Sequence, residues 1–379
     1  MIKRILALAL AFPLGALPPP ALAQNGEVVR SERANFRLTT FASGLERPWG
    51  MAQLPDGQLL VTERPGRMRL VGRDGALSRP LGGVPQVEAA SQGGLLDVAL
   101  APDFERSREI FFCSAMLVQG GALTRLTRAR LAADGAELEA VTPILDATPA
   151  QSSGRQHYGC RIAFGADGRL FLSTGDRNVD RMRSQRLDDL AGKVLRVDRE
   201  GRPQRDNPFV DQPGARPEVF SHGHRNPQGL ALNPWTGSLW LAEHGPRGGD
   251  EINVLRPGAN YGWPVVTHGV NYSGTTISER SSAPGMVDPI RVWTPVISPA
   301  GLAFYDAAAF PGWRRSLFVA ALNSPGLVRL TTDGDQVTGE ERLLFDRRIR
   351  MRDVLVAQDG SLLVLTDESD GRILRLAPG

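Results

Sequence analysis

Two cysteines in 379 residues, Cys113 and Cys160, are too few to staple a chain of this length into a disulfide scaffold. They are free to pair with each other or to sit as buried apolar thiols, and the sequence leaves both open. Beyond the N-terminus no segment approaches the roughly 18 to 20 uninterrupted apolar residues that a membrane helix needs, so no membrane span is expected. A charge excess is missing too: 44 basic residues face 41 acidic ones, which calls for no nucleic-acid partner. What the chain has in quantity is 42 glycines and 28 prolines, a composition of turns and short strands that favours an all-β fold.

The N-terminus has its own pattern. Lys3 and Arg4 precede an apolar run over residues 5–17, and Ala21-Leu22-Ala23 then offers a small-residue cleavage site. Residues 1–23 therefore read as a secretory signal peptide, and the expected address is the periplasm. Their removal takes away two basic residues and no acid, leaving 42 basic against 41 acidic. Residues 24–35 read as an N-terminal linker.

From residue 36 to residue 379 one pattern returns: an apolar alternation, a turn of the Pro-Asp-Gly kind, and a second alternating stretch. Six copies begin at Gly50, Leu96, Arg161, Gly229, Gly301 and Asp353, with Ala52, Ala99, Ala163, Ala231, Ala303 and Leu355 as equivalent positions. Further strand candidates follow several hairpins, among them RMRLV, TRLTRARL, KVLRVD and RILRLAP. Such sheets cannot bury both faces alone, whereas six arranged radially can, so the expected fold is a six-bladed β-propeller of four-stranded antiparallel blades. FRLTTF, ahead of the first copy, is placed to lend a strand to the last blade and close the ring.

Polar motifs cluster beside the first strand of four of the repeats. Gln92 precedes the second copy, His157 the third, Arg225 and Asn226 the fourth, and Arg350 and Arg352 the sixth; Asp176 follows the third hairpin and His244-Gly245-Pro246 the fourth. The stretch over residues 222–264 is the densest. One channel mouth would thus gather a histidine, an acid and several cations, a set suited to an anionic cofactor beside a base. His222 and His224 alternate as a metal pair would, but no third ligand accompanies them, and they read as hydrogen-bonding loop residues. Arg181, Arg183 and Arg186 read as a solvated loop, with a role in guiding an acidic electron-acceptor protein as the alternative. The six tryptophans read as blade packing.

The strings QGGLLD, GHRNPQGLA, EHGPRGGDEIN, NYGWP and RMRDV, in this order on six repeats, resemble the soluble aldose sugar dehydrogenases that depend on pyrroloquinoline quinone (PQQ). The resemblance spans nearly the whole mature chain and implies the same propeller. It implies an exported enzyme that oxidises an aldose at its anomeric carbon to a lactone, passes hydride to PQQ and hands electrons to an external acceptor. By matching position, His157 resembles the general base and Asp176 the acid that orients it, with Arg225 beside them. Gln92, Arg225, Asn226, Arg350, Arg352 and Tyr272 resemble the cofactor contacts. The carbonyls of Gly245 and Pro246 resemble those holding a calcium ion against PQQ, and Glu251 with the Tyr261 carbonyl resembles a second calcium site; Ca2+ takes hard oxygen ligands of this kind. His244 and Asp250 would support the calcium loop. The sequence departs from the family at Asn323, where a lysine usually reaches the cofactor. Two other readings stay open, a calcium-dependent lactonase and a non-catalytic ligand-binding propeller. The sugar and the acceptor are not legible, and a monomer or a homodimer fits equally.

Overall fold

The computed structural model describes residues 26–379; the signal peptide expected over residues 1–23 lies outside them. The described chain forms six antiparallel sheets, four of them four-stranded. Their first strands are Pro48–Gln53, Leu95–Leu100, Ile162–Phe164, Pro227–Leu232, Pro299–Tyr305 and Met351–Val356. Each lies against the first strand of the next sheet, and the sixth lies against the first. The sheets are therefore blades around one closed ring.

The repeat alignment survives at the level of register. Ala52 pairs with Leu60, Ala99 with Phe111, Ala163 with Phe171, Ala231 with Trp240, Ala303 with Phe318 and Leu355 with Leu363. A small or aliphatic residue thus faces a large apolar one in every hairpin, on the pleated face that packs against a neighbour. The buried hydrophobic side chains fall into six clusters, five drawn from two adjacent blades and one from the second and third blades with Trp49 of the first. Burial of both sheet faces is what makes the ring necessary.

Two blades depart from four strands. The first has three, Pro48–Gln53, Leu59–Glu63 and Arg67–Val71. The last has five, because Asn35–Leu45, which contains FRLTTF, pairs with Gly371–Pro378, and Glu27–Arg30 pairs with Asn35–Leu45 in turn. The stretch read as a linker over residues 24–35 thus carries a strand. Joining the first and last parts of the chain in one sheet leaves no open seam in the ring.

Cys113 and Cys160 form a disulfide between the second and third blades, with Cα atoms 5.8 Å apart. With 47 residues separating them, loop entropy sets its worth at roughly 2–4 kcal/mol. Replacing both by alanine should lower the unfolding free energy by about that amount, read from the midpoint of denaturant unfolding. An unchanged midpoint would show that the bridge constrains nothing that the blades do not already hold.

Candidate active site

In an antiparallel hairpin the start of the first strand and the end of the second lie at one end, so the motifs before the first strands and after the second strands meet at one mouth. His157 is buried there, with its Nδ1 2.7 Å from Asp176 Oδ1. Asp176 is fully buried and saturated: the Asn178 N–H donates to Oδ1 at 2.8 Å, and the Trp263 indole Nε1–H donates to Oδ2 at 2.7 Å. Burial opposes its charge, but the bonds from His157 and the nearby Arg225 hold the carboxyl below the ordinary carboxylate range. Burial also draws the imidazole below its ordinary value, against the pull of Asp176, so the ring is neutral near pH 7. With Asp176 accepting from Nδ1–H, Nε2 is left with its lone pair.

The backbone around the pair is held in unusual conformations. His157, Cys160, Arg177 and Asn178 have φ of 49°, 74°, 66° and 57°, the left-handed region that non-glycine residues avoid. Gly175 packs so close that a Cβ there would lie 2.2 Å from the His157 carbonyl oxygen. The Asp176 N–H donates to Arg225 O, and Gln92 Oε1 accepts the His157 N–H at 2.9 Å. The two loops are thereby locked onto each other.

Beside them a cavity of about 480 Å³ is lined by Gln92, Tyr272, Arg350 and Arg352, together with Arg47 and Arg64. Asp367 is its one carboxylate among the lining residues, bonded by Arg350 at 2.6 Å and paired with Arg352 at 3.3 Å. Burial works against the Asp367 charge, but the two arginines outweigh it and bring its pKa down to about 2. Among the described residues, Arg47 and Arg64 have no carboxylate within ion-pair distance. The cavity therefore carries an excess of positive charge.

Several donors here are buried without partners: Nδ2 of Asn226, Nε of Arg225 and Nε of Arg352. A buried orphan donor costs roughly 1–3 kcal/mol, so three at one mouth fit an anionic, acceptor-rich ligand. Asn226 Oδ1 is already engaged by the Gly159 N–H at 3.2 Å, which leaves its amide nitrogen as the free end. Arg225 donates Nη1 to the carbonyls of His244 and Gly245 at 2.9 and 2.7 Å, with the Tyr272 hydroxyl 3.5 Å from Nη2. The Gly245 carbonyl is thus engaged by Arg225 in this structure.

Among the described residues no three or more His, Cys, Asp or Glu side chains converge as a metal site. Among the described residues Glu251 has no basic side chain within ion-pair distance. Burial, with Glu243 and Asp250 nearby, raises its pKa well above the usual range, and Asn253 at 3.2 Å is its hydrogen-bond donor. Asp250 accepts the N–H groups of Gly245, Ile297 and Ser298 and so shapes the loop, as expected for a supporting residue. His244 donates Nε2–H to Pro299 O.

Arg183 is not solvated: it is buried and forked onto Asp189 at 2.7 and 3.0 Å. His224 is a buried hydrogen-bonding residue between Ser221 and Glu243. Trp263 is more than blade packing, since its indole holds Asp176. Arg47, Arg64, Asp367 and Glu243, which accepts the Arg225 N–H at 2.7 Å, were not singled out by motif. A signal for the acids existed in the repeats, because the second hairpin strands of the first, fourth and sixth blades run into Glu63, Glu243 and Asp367.

Fold and site together define a propeller with a buried histidine–carboxylate pair at the rim of an arginine-lined cavity. The glucose/sorbosone dehydrogenase family model matches residues 45–375, and the chain belongs to that family. The aldose sugar dehydrogenase YliI of Escherichia coli is 44% identical over 349 residues, covering 91% of this chain and 94% of that protein. The crystal structure of the soluble aldose sugar dehydrogenase from E. coli in its apo form superposes with a TM-score of 0.88 at 41% identity, over 91% of this chain and all of that one (100%). The PQQ-bound form of an aldose sugar dehydrogenase from Streptomyces coelicolor superposes with a TM-score of 0.76 at 31% identity, over 94% and 99% of the two chains.

Proposed function

We propose that this protein is an exported, periplasmic, PQQ-dependent aldose dehydrogenase that oxidises the anomeric carbon of an aldose to a lactone. The observation that carries the reading is His157, held by Asp176 through Nδ1 with its Nε2 free and bonded through its main-chain N–H to Gln92, beside a cavity lined by four arginines. His157 Nε2 takes the proton of the anomeric hydroxyl, and Asp176 supports the imidazolium that results. PQQ, when bound, supplies the hydride acceptor. Arg350, Arg352, Arg225, Asn226, Gln92 and Tyr272 would hold it, with guanidinium forks matching its carboxylates. Electrons then leave to an external acceptor.

The arginine excess favours this reading over a calcium-dependent lactonase, whose metal would call for carboxylates where the cavity has guanidinium groups. Purified apo-protein supplied with PQQ and calcium should reduce an artificial acceptor in the presence of some member of an aldose panel. If bound PQQ is verified and no sugar reduces the dye, the dehydrogenase reading fails.

We place calcium at two sites, the first of which requires the Gly245 carbonyl to accept the ion beside or in place of Arg225. The carbonyls of Gly245 and Pro246 would hold one ion beside the cofactor, and Glu251 with the Tyr261 carbonyl would hold another. Chelation should then release PQQ or block its rebinding, with recovery on adding calcium. Glu251→Gln should mainly lower thermal stability. A chelated, metal-free protein that retains its PQQ would sink the cofactor-linked site.

Asn323 stands where the family usually has lysine. Its Oδ1 accepts its own neighbour's N–H, Ser324, at 3.1 Å, while Arg350 reaches the adjoining Leu322 carbonyl at 2.9 Å. A hydrogen bond to a charged group is worth about 1.5–3 kcal/mol, so Asn323→Lys should tighten PQQ binding by roughly one to two powers of ten. Titration of apo-protein at fixed calcium measures it. Equal or weaker affinity would show that Arg350 and its neighbours already fill the lysine's role.

A further inference from the structure

Lys193 is one of two lysines in the sequence, the other being Lys3 in the expected signal peptide. Among the described residues every other Lys/Arg position is arginine, yet this one is a fully buried lysine, and burial draws its pKa down to about 7. Among the described residues it has no carboxylate within ion-pair distance. Its Nζ instead donates to three main-chain carbonyls, of Arg183 at 2.9 Å, Ser184 at 3.0 Å and Ala191 at 2.6 Å. An ammonium has three donors on one compact centre, so this cage uses all of them, which a planar guanidinium could not do.

The caged turn leads to the catalytic pair. Ser184 Oγ lies 2.6 Å from the Trp263 carbonyl, and Gln185 Nε2 donates to the same oxygen at 2.7 Å. The Ser184 carbonyl, already bonded to Lys193, also accepts the Gly223 N–H, and the Gly223 carbonyl accepts the Trp263 N–H, both at 2.9 Å. Trp263 in turn donates its indole N–H to Asp176, the partner of His157. A shorter main-chain path runs from the Gly192 N–H to the Gly175 carbonyl, next to Asp176. Arg183, through Asp189, anchors the turn from its other side.

We propose that Lys193 is a positioning residue for the His157–Asp176 pair: its Nζ, donating to three main-chain carbonyls, fixes the 181–184 turn and, through it, the Trp263 indole on Asp176. The proposal rests on the reading of His157 as the base, but its central claim is structural. Without Nζ, three carbonyls lose their donor, the turn relaxes, and the indole bond to Asp176 opens more often. The base is then held less well, which lowers kcat while leaving PQQ affinity and KM largely as they were.

The test uses the full chain. The indole N–H of Trp263, assigned with Trp263→Phe, should be protected from solvent exchange in the wild type. In Lys193→Met it should exchange at least about tenfold faster, with the other five tryptophans unchanged, and kcat should fall by roughly 10-fold to 100-fold, the scale expected when a reacting group is slightly misplaced. Ser184→Ala, which leaves every charge in place, should move the Trp263 exchange in the same direction by less. If Lys193→Met does not fold, Lys193→Gln, a neutral side chain that keeps two donors, takes its place. Unchanged protection of Trp263 in a folded variant would overturn the proposal. A His157→Gln enzyme with normal turnover would instead overturn the assignment of the base, leaving the exchange result standing.

Discussion

Replacing His157 by glutamine is expected to lower turnover by about 100-fold to 10,000-fold, the usual contribution of a positioned general base. PQQ affinity should hardly change, because the cavity's charged donors are arginines and the His157 main-chain N–H that Gln92 accepts is kept. A companion measurement is the acid limb of kcat against pH. In the proposed mechanism the neutral ring is the active form, and burial draws its pKa below the ordinary value, so activity should persist below pH 6.5 and fall only as the ring gains a proton. A limb above that value would mean that Asp176 outweighs burial. Asp176→Asn should reduce kcat by a similar or smaller factor, since the amide cannot support the imidazolium. Unchanged turnover in His157→Gln would remove this histidine from the mechanism.

The largest effect on stability is expected at Arg161. This buried guanidinium crosses the centre of the ring, bonding Asp97 of the second blade at 3.0 Å and Asp353 of the sixth at 3.1 Å. It also donates to Gln228 O of the fourth blade at 2.9 Å and lies 4.3 Å from the centre of the Trp49 ring. Glycines make room for the triad: a Cβ at Gly301 would fall 1.9 Å from Asp353 Oδ1, and one at Gly50 would fall 2.7 Å from Asp97 Oδ1. Arg161→Met leaves two buried carboxylates facing each other, and removing one partner of a buried ion pair typically costs about 3–5 kcal/mol.

The deficit should depend on pH in a definite sense. Burial already raises both carboxyls, Asp97 to about 6, and loss of the guanidinium raises them further. As pH falls the folded variant then takes up protons that the unfolded chain does not, which stabilises it. The deficit is full at pH 8 and shrinks as pH drops through the carboxyl values. Denaturant unfolding at pH 8 and pH 5 measures it, and an equal deficit at both would mean that shape rather than charge is lost. Arg161→Met combined with Asp97→Asn and Asp353→Asn should recover part of the stability, since the amides can still accept the Ile162 and Met51 N–H groups.

The sequence by itself determined the blades. Alternation of period two and turn residues are local properties, and the six equivalent positions pair across their hairpins as the repeat alignment implied. It also placed part of the mouth, because position before a first strand or after a second one follows from chain order alone. His157 and Asp176 were legible in this way, 19 residues apart in the chain. Only the tertiary structure decided partners. That Cys113 meets Cys160, that Trp263 rather than solvent satisfies Asp176, and that Arg47, Arg64 and Asp367 share a cavity with Arg350 all depend on which blades lie side by side. The physical reason is one of range. A strand pattern is set by neighbours a few residues away, whereas the charge, burial and hydrogen bonding of a side chain at the channel mouth are set by loops from blades that the ring alone brings together.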